Sequence, residues 1–385
     1  MTGSRPRVCF VLDAFAPQVG GVEREFFEFS RRLVSLGWDV SVLTSASSGG
    51  SGRTCMDGVT VEYFPWRDLA GHPLPRPRDL DRWVAGCDIV HTTTYSSAPA
   101  ALRVSRRHGK PCILTVQECL GRKWFWVEPR LRAAVFLIYE RRLVTRPFTA
   151  YHAISEATRR DLVRAGVDGR LVTTIHLGVD ERLWNPDVSP RDLNALLGFP
   201  SGCRVFLFTG RPGPTKGAHL LLDAIETAGT QMPADVRFGF IMSAHPPGAR
   251  DAFVREVGRR GLRDLVSVRP SVGYDELPGY VRAAASIVVP SMTEGFGFCA
   301  AEASALGVPL VTSDAGSLPE VVSGRHLAFR NRDSADLAAK LLYAATGRFR
   351  QRDRRVFSWD VATAGLAGLY AEVLGDPSLA PESKR

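Results

Sequence analysis

Short apolar runs, rich in β-branched and aromatic residues, alternate with helix-length segments along this chain, and the alternation starts twice. The first series places strand-like runs at Val8 to Leu12, Val40 to Thr44, Val59 to Phe64, Ile89-Val90, Cys112 to Val116 and Tyr151 to Ile154. The second places them at Val205 to Phe208, Phe238 to Met242, Val266 to Val268, Ile287 to Val289 and Leu310 to Thr312. A strand followed by a helix must return to its sheet by a crossover, which predicts α/β architecture with largely parallel, doubly wound sheets. Between the two series lies Asp180-Glu181-Arg182-Leu183-Trp184-Asn185-Pro186, polar and proline-marked, with no long apolar period of its own. It reads as the linker between two domains.

A chain of 385 residues that is 45% apolar and 23% charged has enough material for two such domains and no bias toward disorder. Its net charge of +9 is unevenly spread: Arg122 to Arg160 holds nine Lys/Arg against three Glu. An anionic partner near that segment is the expectation. Nucleic-acid binding has no motif beyond the net charge, so no nucleic-acid partner is expected. The seven cysteines (9, 55, 87, 112, 119, 203 and 299) form no C-x-x-C pair, and several lie in strand-like runs, as reduced core residues would. Arg5 and Arg7 precede an apolar run of only five residues that ends at Asp13, too short for a secretory signal. No stretch approaches the ~20 apolar residues of a membrane span. A cytoplasmic location is expected, extending to peripheral contact with the inner face of a membrane.

The residues with most chemistry run from Thr293 to Glu302, Thr-Glu-Gly-Phe-Gly-Phe-Cys-Ala-Ala-Glu. Ala285 to Pro290 reads as a buried strand before them, and Phe298 to Leu306 as a helix ended by Gly307. Glu294 and Glu302 therefore flank a glycine-rich turn at a strand's carboxyl end, where open α/β sheets bind ligands and helix N-termini favour phosphate. Acceptor-only carboxylates suit ribose or hexose hydroxyls, and the glycines on both sides of Phe296 let a ligand approach the backbone. The competing reading is a surface helix with Glu294 placed by the helix dipole. Asp314 to Glu320 adds a second loop at another strand end. Phe208 to Gly217 delivers Arg211 and Lys216 five residues apart on a turn, either two cations for a diphosphate or solvated loop charges. It lacks Walker spacing, and the first loop, Ala16-Pro17-Gln18-Val19-Gly20-Gly21, lacks the G-x-G-x-x-G of nicotinamide enzymes.

In the first series, Val22 to Leu36 reads as a helix with Val22, Phe26, Phe29 and Leu33 on one face, closed by Gly37. His91 follows a strand and is a candidate for contact with an acceptor, against the commoner structural histidine; His152 is a weaker one. Asp79-Leu80-Asp81 has D-x-D spacing but no strand-end context, and reads as a solvated loop with no metal required. Trp124-Phe125-Trp126 and Arg130 to Arg146 mix aromatics with cations. The helix is expected to turn Leu131, Val135, Ile138 and Leu143 to the core, leaving an anionic membrane surface as partner of the aromatic loop.

In this order the motifs resemble those of the retaining glycosyltransferases of family 4, which have the GT-B arrangement. The E-x7-E pair is Glu294 and Glu302, the R-x4-K element is Arg211 and Lys216, and the first glycine loop is Gly20-Gly21-Val22-Glu23. The last helix begins near Trp359. The resemblance implies two Rossmann-like domains facing a central cleft. Residues 1–180 plus a returning helix at about 356–375 would form the acceptor side, and 181–355 the donor domain. It implies that Arg211 and Lys216 grip the diphosphate of a nucleoside-diphosphate sugar, that Glu302 holds the ribose, and that Glu294 with the amides of Gly295, Phe296, Gly297 and Phe298 holds the sugar. Gly20 and Gly21 would approach the phosphate, and the strand ending at Arg269 would meet the base, uracil or guanine. The donor is a co-substrate, with no cofactor and no metal, and the hydroxyl-bearing acceptor would be a lipid-linked glycan or a natural-product aglycone. The family often has a histidine where this chain reads Val116-Gln117-Glu118, and Asn-Gly-Val-Asp where it reads Leu177-Gly178-Val179-Asp180. Gln117 and Glu118 are thus acceptor-side candidates without a proton shuttle. A nucleotide-sugar epimerase and a catalytically silent sugar-nucleotide-binding or membrane-docking protein are the rival readings.

Overall fold

The computed structural model describes residues 5–18, 20–69 and 72–381; Val19 of the first glycine loop and residues 382–385 of the tail lie outside the described residues. The chain divides into two compact units, Met1–Gly178 with Ser358–Arg385, and Val179–Phe357.

The first unit is built on the strands β1 (Arg7–Val11), β2 (Asp39–Ser45), β3 (Gly52–Met56), β4 (Val59–Phe64), the short pair β5 (Arg67–Leu69) and β6 (His72–Leu74), then β7 (Ile89–Thr93), β8 (Cys112–Val116), β9 (Ala150–Ala153) and β10 (Val172–Thr174). Eight of them form one sheet in the order β10-β9-β8-β7-β1-β2-β4-β3. All its pairings are parallel except β3 with β4. The central strands are continuous apolar runs because helices cover both faces: every residue of β7, β8 and β9 is buried. The helices are α1 (Gly21–Ser35), α2 (Pro77–Gly86), α3 (Ala98–Arg107), α4 (Trp124–Val127), α5 (Arg130–Val144) and α6 (Glu156–Ala165).

The second unit has strands β11 (Arg204–Gly210), β12 (Val236–Met242), β13 (Val266–Pro270), β14 (Ser286–Val289), β15 (Leu310–Ser313), β16 (Gly324–Phe329) and β17 (Arg350–Arg352), ordered β13-β12-β11-β14-β15-β16-β17. Only β17 runs antiparallel. Its helices are α7 (Leu193–Leu197), α8 (Ala218–Ala228), α9 (Ala249–Arg259), α10 (Leu277–Ala283), α11 (Phe298–Leu306), α12 (Leu318–Val321) and α13 (Ser334–Ala345). Phe206, Phe208, Phe238, Phe240 and Phe253 fill the core under α8 and α9.

The last helix, α14 (Trp359–Leu374), belongs to the first unit. Phe29 of α1 meets the Trp359 ring edge-on at 5.5 Å, and Arg32 pairs with Asp360 at 2.8 Å. Gly178 is needed where α14 begins: a Cβ there would lie 2.3 Å from the Trp359 nitrogen.

Four expectations change. Asp79 and Asp81 sit on α2, because Pro77 opens a helix that buries Leu80 and Val84; Asp79 pairs with Arg76, and Asp81 with Arg107 and His108. Trp184 in the linker passage is 2% exposed and donates to the Tyr274 hydroxyl at 2.9 Å, so that passage is anchored in the second unit. On α1 the buried face includes Glu25 and Ser30 beside Phe26, Phe29 and Leu33, while Val22 is half-buried. On α5, Leu143 is buried but Leu131, Val135 and Ile138 are 81%, 57% and 53% exposed. The core takes Ala133, Leu143 and Val144.

Candidate active site

In each sheet the first strand has neighbours reached by opposite windings. β1 lies between β2 and β7, and β11 lies between β12 and β14. The loops leaving such a pair diverge to opposite faces and open a crevice at the strands' carboxyl ends. Half of the sequence-predicted residues fall on these loops.

In the second unit the loops after β11 and β14 are stitched together. The Met292 amide donates to the Thr215 carbonyl at 2.8 Å, and a Cβ on Gly217 would stand 1.9 Å from the Pro290 oxygen. Lys216 is thereby held over Glu294: its Nζ donates to both carboxylate oxygens at 2.8 Å, and the Ser291 hydroxyl donates to Oε2 at 2.8 Å. Behind Glu294, the Ser317 amide donates to its carbonyl at 3.1 Å, and a Cβ on Gly316 would come within 2.1 Å of that oxygen. The loop Asp314 to Glu320 thus buttresses the turn. Gly297, at φ +93°, is the left-handed cap that starts α11. The Phe296 ring is buried against Phe298 and Phe357, at 5.2 and 5.4 Å between centroids, so its side chain packs. What Gly295 to Phe298 can offer a ligand is backbone N–H groups at a helix N-terminus.

Glu302 lies on α11, 5% exposed, and accepts from the Tyr274 hydroxyl at 3.3 Å. Cys299 is the shared neighbour: burial and then the Glu302 carboxylate raise its thiol, with Lys216 opposing and Glu294 adding to the rise. Lys216, Glu294 and Glu302 are therefore all within electrostatic reach of Cys299. Arg211 stands apart from the pair, exposed and with no side-chain bond among the described residues.

Arg269 does not join them. Its guanidinium donates to the Leu196 and Leu197 carbonyls at 2.8 and 3.0 Å, tying off the end of α7. β13 is the sheet's edge strand, and the side chain turns to the neighbouring helix terminus, whose carbonyls lack intrahelical donors. A hollow of about 550 Å³ beside it, lined by Leu197, Phe199, Arg237 and Val254 among others, is likewise away from the switch point.

In the first unit, Gly20 caps α1 and Gly21 opens it. Glu23 folds over this terminus: a Cβ on Gly20 would meet its carboxylate at 2.2 Å, and Gln18 donates to it at 3.1 Å. Asp13, just past β1, accepts from the Ser96 amide at 3.1 Å and the Ser97 amide at 2.8 Å, and from both hydroxyls, joining the β1 and β7 loops. Gln117, one residue beyond β8, donates through Nε2 to Glu25 Oε2 at 2.7 Å. Glu25 is wholly buried, its other oxygen has no partner among the described residues, and burial pushes its carboxyl up to about 8. Glu118 is half-buried in the same loop.

His91 is corrected. It lies within β7 rather than beyond it, has no exposed surface, and is bonded by the Tyr370 hydroxyl at 2.5 Å and Thr115 at 2.7 Å. A strand buried on both faces leaves no path to an acceptor, and burial holds the imidazole neutral. His152 is likewise buried between Thr115 and the Ile175 carbonyl, its pKa lowered to about 4.

Sequence reasoning missed Asp13, Glu25, Ser291 and Tyr274. Only Glu25 left a signal: it occupies an apolar-face position on α1, three residues after Val22 and four before Phe29. Among the described residues no group of three or more His, Cys, Asp or Glu could hold a metal.

Residues 19–183 match the model of Glycosyltransferase Family 4, and residues 203–346 that of Glycosyl transferases group 1. A D-inositol 3-phosphate glycosyltransferase of Xylanimonas cellulosilytica is 30% identical over 427 residues, covering 97% of this chain and 98% of that one. Among solved structures, the sucrose-phosphate synthase of Thermosynechococcus elongatus superposes with a TM-score of 0.74 at 18% identity, covering 96% of this chain and 100% of that one. Anabaena HepE, solved in complex with UDP and glucose, gives 0.69 at 18% identity and covers 96% of each. The chain belongs to the family 4 glycosyltransferases, enzymes of the GT-B class with Rossmann-like α/β domains.

Proposed function

We propose that this glycosyltransferase moves a hexosyl unit from a UDP- or GDP-sugar to a hydroxyl-bearing acceptor with retention of anomeric configuration and without a metal. The observation that carries this reading is the Lys216–Glu294 pair at the β11/β14 switch point, beside the amides that open α11. Breaking the glycosyl–phosphate bond develops negative charge on the departing diphosphate. A cation there stabilises the transition state more than the ground state. Arg211, with no side-chain partner among the described residues, and Lys216, steadied by Glu294, supply that charge. Glu294, held by Lys216 and Ser291, accepts from sugar hydroxyls, and Glu302, oriented by Tyr274, accepts from the ribose. HepE's complex with UDP supports a uridine donor as the first to test.

In the first unit, the α1 terminus at Gly20 and Gly21 offers N–H groups suited to a phosphate once the Glu23 carboxylate swings away. Gln117 replaces a proton-transferring histidine. The departing phosphate oxygen then takes the acceptor's proton, so no dedicated base is required, and Gln117, locked by Glu25, orients the acceptor hydroxyl. Glu118 and Asp13 border the same loops.

Isothermal calorimetry with UDP and GDP, each with and without EDTA, tests the donor, and NMR of the anomeric product tests retention. UDP or GDP binding that persists in EDTA supports the proposal. Failure of both nucleotides to bind at millimolar concentration overturns it.

A further inference from the structure

The stretch from Trp124 to Arg146 presents an exposed apolar face with cations around it. Leu131, Val135, Ile138 and Tyr139 recur on α5 at i, i+4, i+7 and i+8, one stripe of the helix, and are 81%, 57%, 53% and 48% exposed. Phe125 and Trp126 of α4 add two aromatic side chains at 44% and 39%. The two helices form one fixed surface: Trp124 packs on Phe136 at 4.9 Å, and Glu140 accepts from the Leu120 and Gly121 amides at 2.9 and 2.7 Å.

Charge selects the occupant. Residues 122–146 hold seven Lys/Arg (Arg122, Lys123, Arg130, Arg132, Arg141, Arg142, Arg146) against Glu128 and Glu140. Glu140 is turned inward by its two amide bonds, and Glu128 is paired with Arg132 at 3.5 Å. Arg130, Arg132 and Arg141 lie to either side of the apolar stripe and are exposed. A second copy of this chain docking here about a two-fold axis would set these cations against their own kind. An anionic lipid surface instead accepts the apolar stripe among its acyl chains and the guanidinium groups among its headgroups. No helix among the described residues is long and apolar enough to cross a membrane, and α5, at 15 residues, suits a helix lying in the interface plane.

We infer that the α4–α5 face is a docking surface for anionic membranes. The α4–α5 stretch follows the Gln117 loop in the chain, so docking would bring the acceptor-side loop near the lipid surface, fitting an acceptor that is itself lipid-linked. The docking inference stands on this face alone and is independent of donor chemistry.

The test is flotation of the full chain with phosphatidylcholine vesicles containing either no anionic lipid or 30 mol% phosphatidylglycerol. Wild type is expected to float at least tenfold more with the anionic vesicles, and at least fivefold less on raising salt from about 0.05 to 0.5 M, since screening removes the headgroup attraction. Val135→Glu with Ile138→Glu, and separately Arg141→Glu with Arg142→Glu, should each abolish flotation while leaving UDP or GDP affinity unchanged. These side chains are exposed, so folding is expected to survive and is checked by circular dichroism. Equal recovery with both vesicle types, flotation unaffected by either double variant, or a dimer in light scattering that Ile138→Glu dissociates would each overturn the inference. Failure to bind either nucleotide would overturn the proposed function and leave the docking result standing.

Discussion

Replacing Lys216 by Met tests whether its pair with Glu294 serves the donor or only the fold. The Lys216 and Glu294 side chains are 27% and 10% exposed, so the bond is partly screened by solvent and its net worth is well below that of a buried pair. Methionine keeps the apolar stem and removes the charge. Glu294 then retains only the Ser291 hydroxyl among its side-chain partners described above, and the loss to stability should be about 1–2 kcal/mol, or roughly 2–8 °C in Tm for a domain of this size. The effect on turnover should be larger. A fixed cation lost at a developing diphosphate costs on the order of 10²–10³ in kcat, about 3–4 kcal/mol of barrier. Glu294→Gln should lower kcat as well, while the double variant tells the two roles apart. If each residue touches the donor, the double variant loses more turnover than either single one; if they serve only each other, it loses no more than the worse of the two. Scanning calorimetry and initial rates at saturating donor give both quantities. A Lys216→Met enzyme with near-normal kcat and a lowered Tm would refute the phosphate role and leave a structural ion pair.

Three further outcomes follow from the geometry. Glu302→Gln should weaken nucleotide binding by roughly 1.5–3 kcal/mol in calorimetry, the value of a charge-assisted hydrogen bond, with kcat at saturation little changed. Arg269→Ala should leave donor KM within about twofold, yet destabilise the second unit by roughly 1–3 kcal/mol in urea melts, because two α7 carbonyls lose their donor. Stability should fall on both sides of a mildly acidic optimum. Below about pH 6.5 the unfolded chain protonates His91 and His152 while the fold keeps them neutral down to about 4 for His152, so acid favours unfolding. Glu25, raised from 4.5 to about 8, acts oppositely: the fold holds a proton that the unfolded chain has released, and stability is lost as pH rises through that window. Glu25→Gln should flatten the alkaline limb and steepen the acid one in melts from pH 5 to 9.

How much was legible in the sequence depended on whether a side chain's partners lay close along the chain. Strands such as Val59–Phe64 and Cys112–Val116, and helices Phe298–Leu306 and Trp359–Leu374, fall where periodicity puts them, because a central parallel strand or a core helix writes its burial into its own residues. β3, β5, β6, β10, β16 and β17 escaped notice; of these, β3 and β17 are antiparallel edge strands with mostly exposed residues. α5 misled in the opposite sense: its apolar spacing is that of a core helix, but spacing cannot report whether anything packs on the stripe. Glu294 and Lys216 were legible through spacing. Their clamps Ser291, Gly316 and Ser317 gain meaning only from β15 lying beside β14. The anchoring of the Arg269 side chain was illegible for the same reason, because the α7 terminus that takes its guanidinium precedes it by some seventy residues.

The two switch points explain why so few positions carry the chemistry. In each unit the first strand is hydrogen-bonded on one side to the next strand in sequence and on the other to a strand that returns later, so only two loops per sheet border the opening. In the second unit these are 211–217 and 290–297, and they contain Arg211, Lys216 and Glu294. In the first unit they are 12–20 and 94–97, and Asp13 ties them together through Ser96 and Ser97. Gln117 lies one strand further out, on the loop after β8, and reaches inward only because α1 buries a carboxyl where its apolar face calls for a hydrophobe. Burial keeps Glu25 protonated at neutral pH although the amide that Gln117 donates to it favours the ionised form, because an ionised Glu25 would leave a charge with one amide for company in an apolar wall. Gln117, which stands where the family often has a histidine, is thus an amide held in place by the misplaced acid on α1.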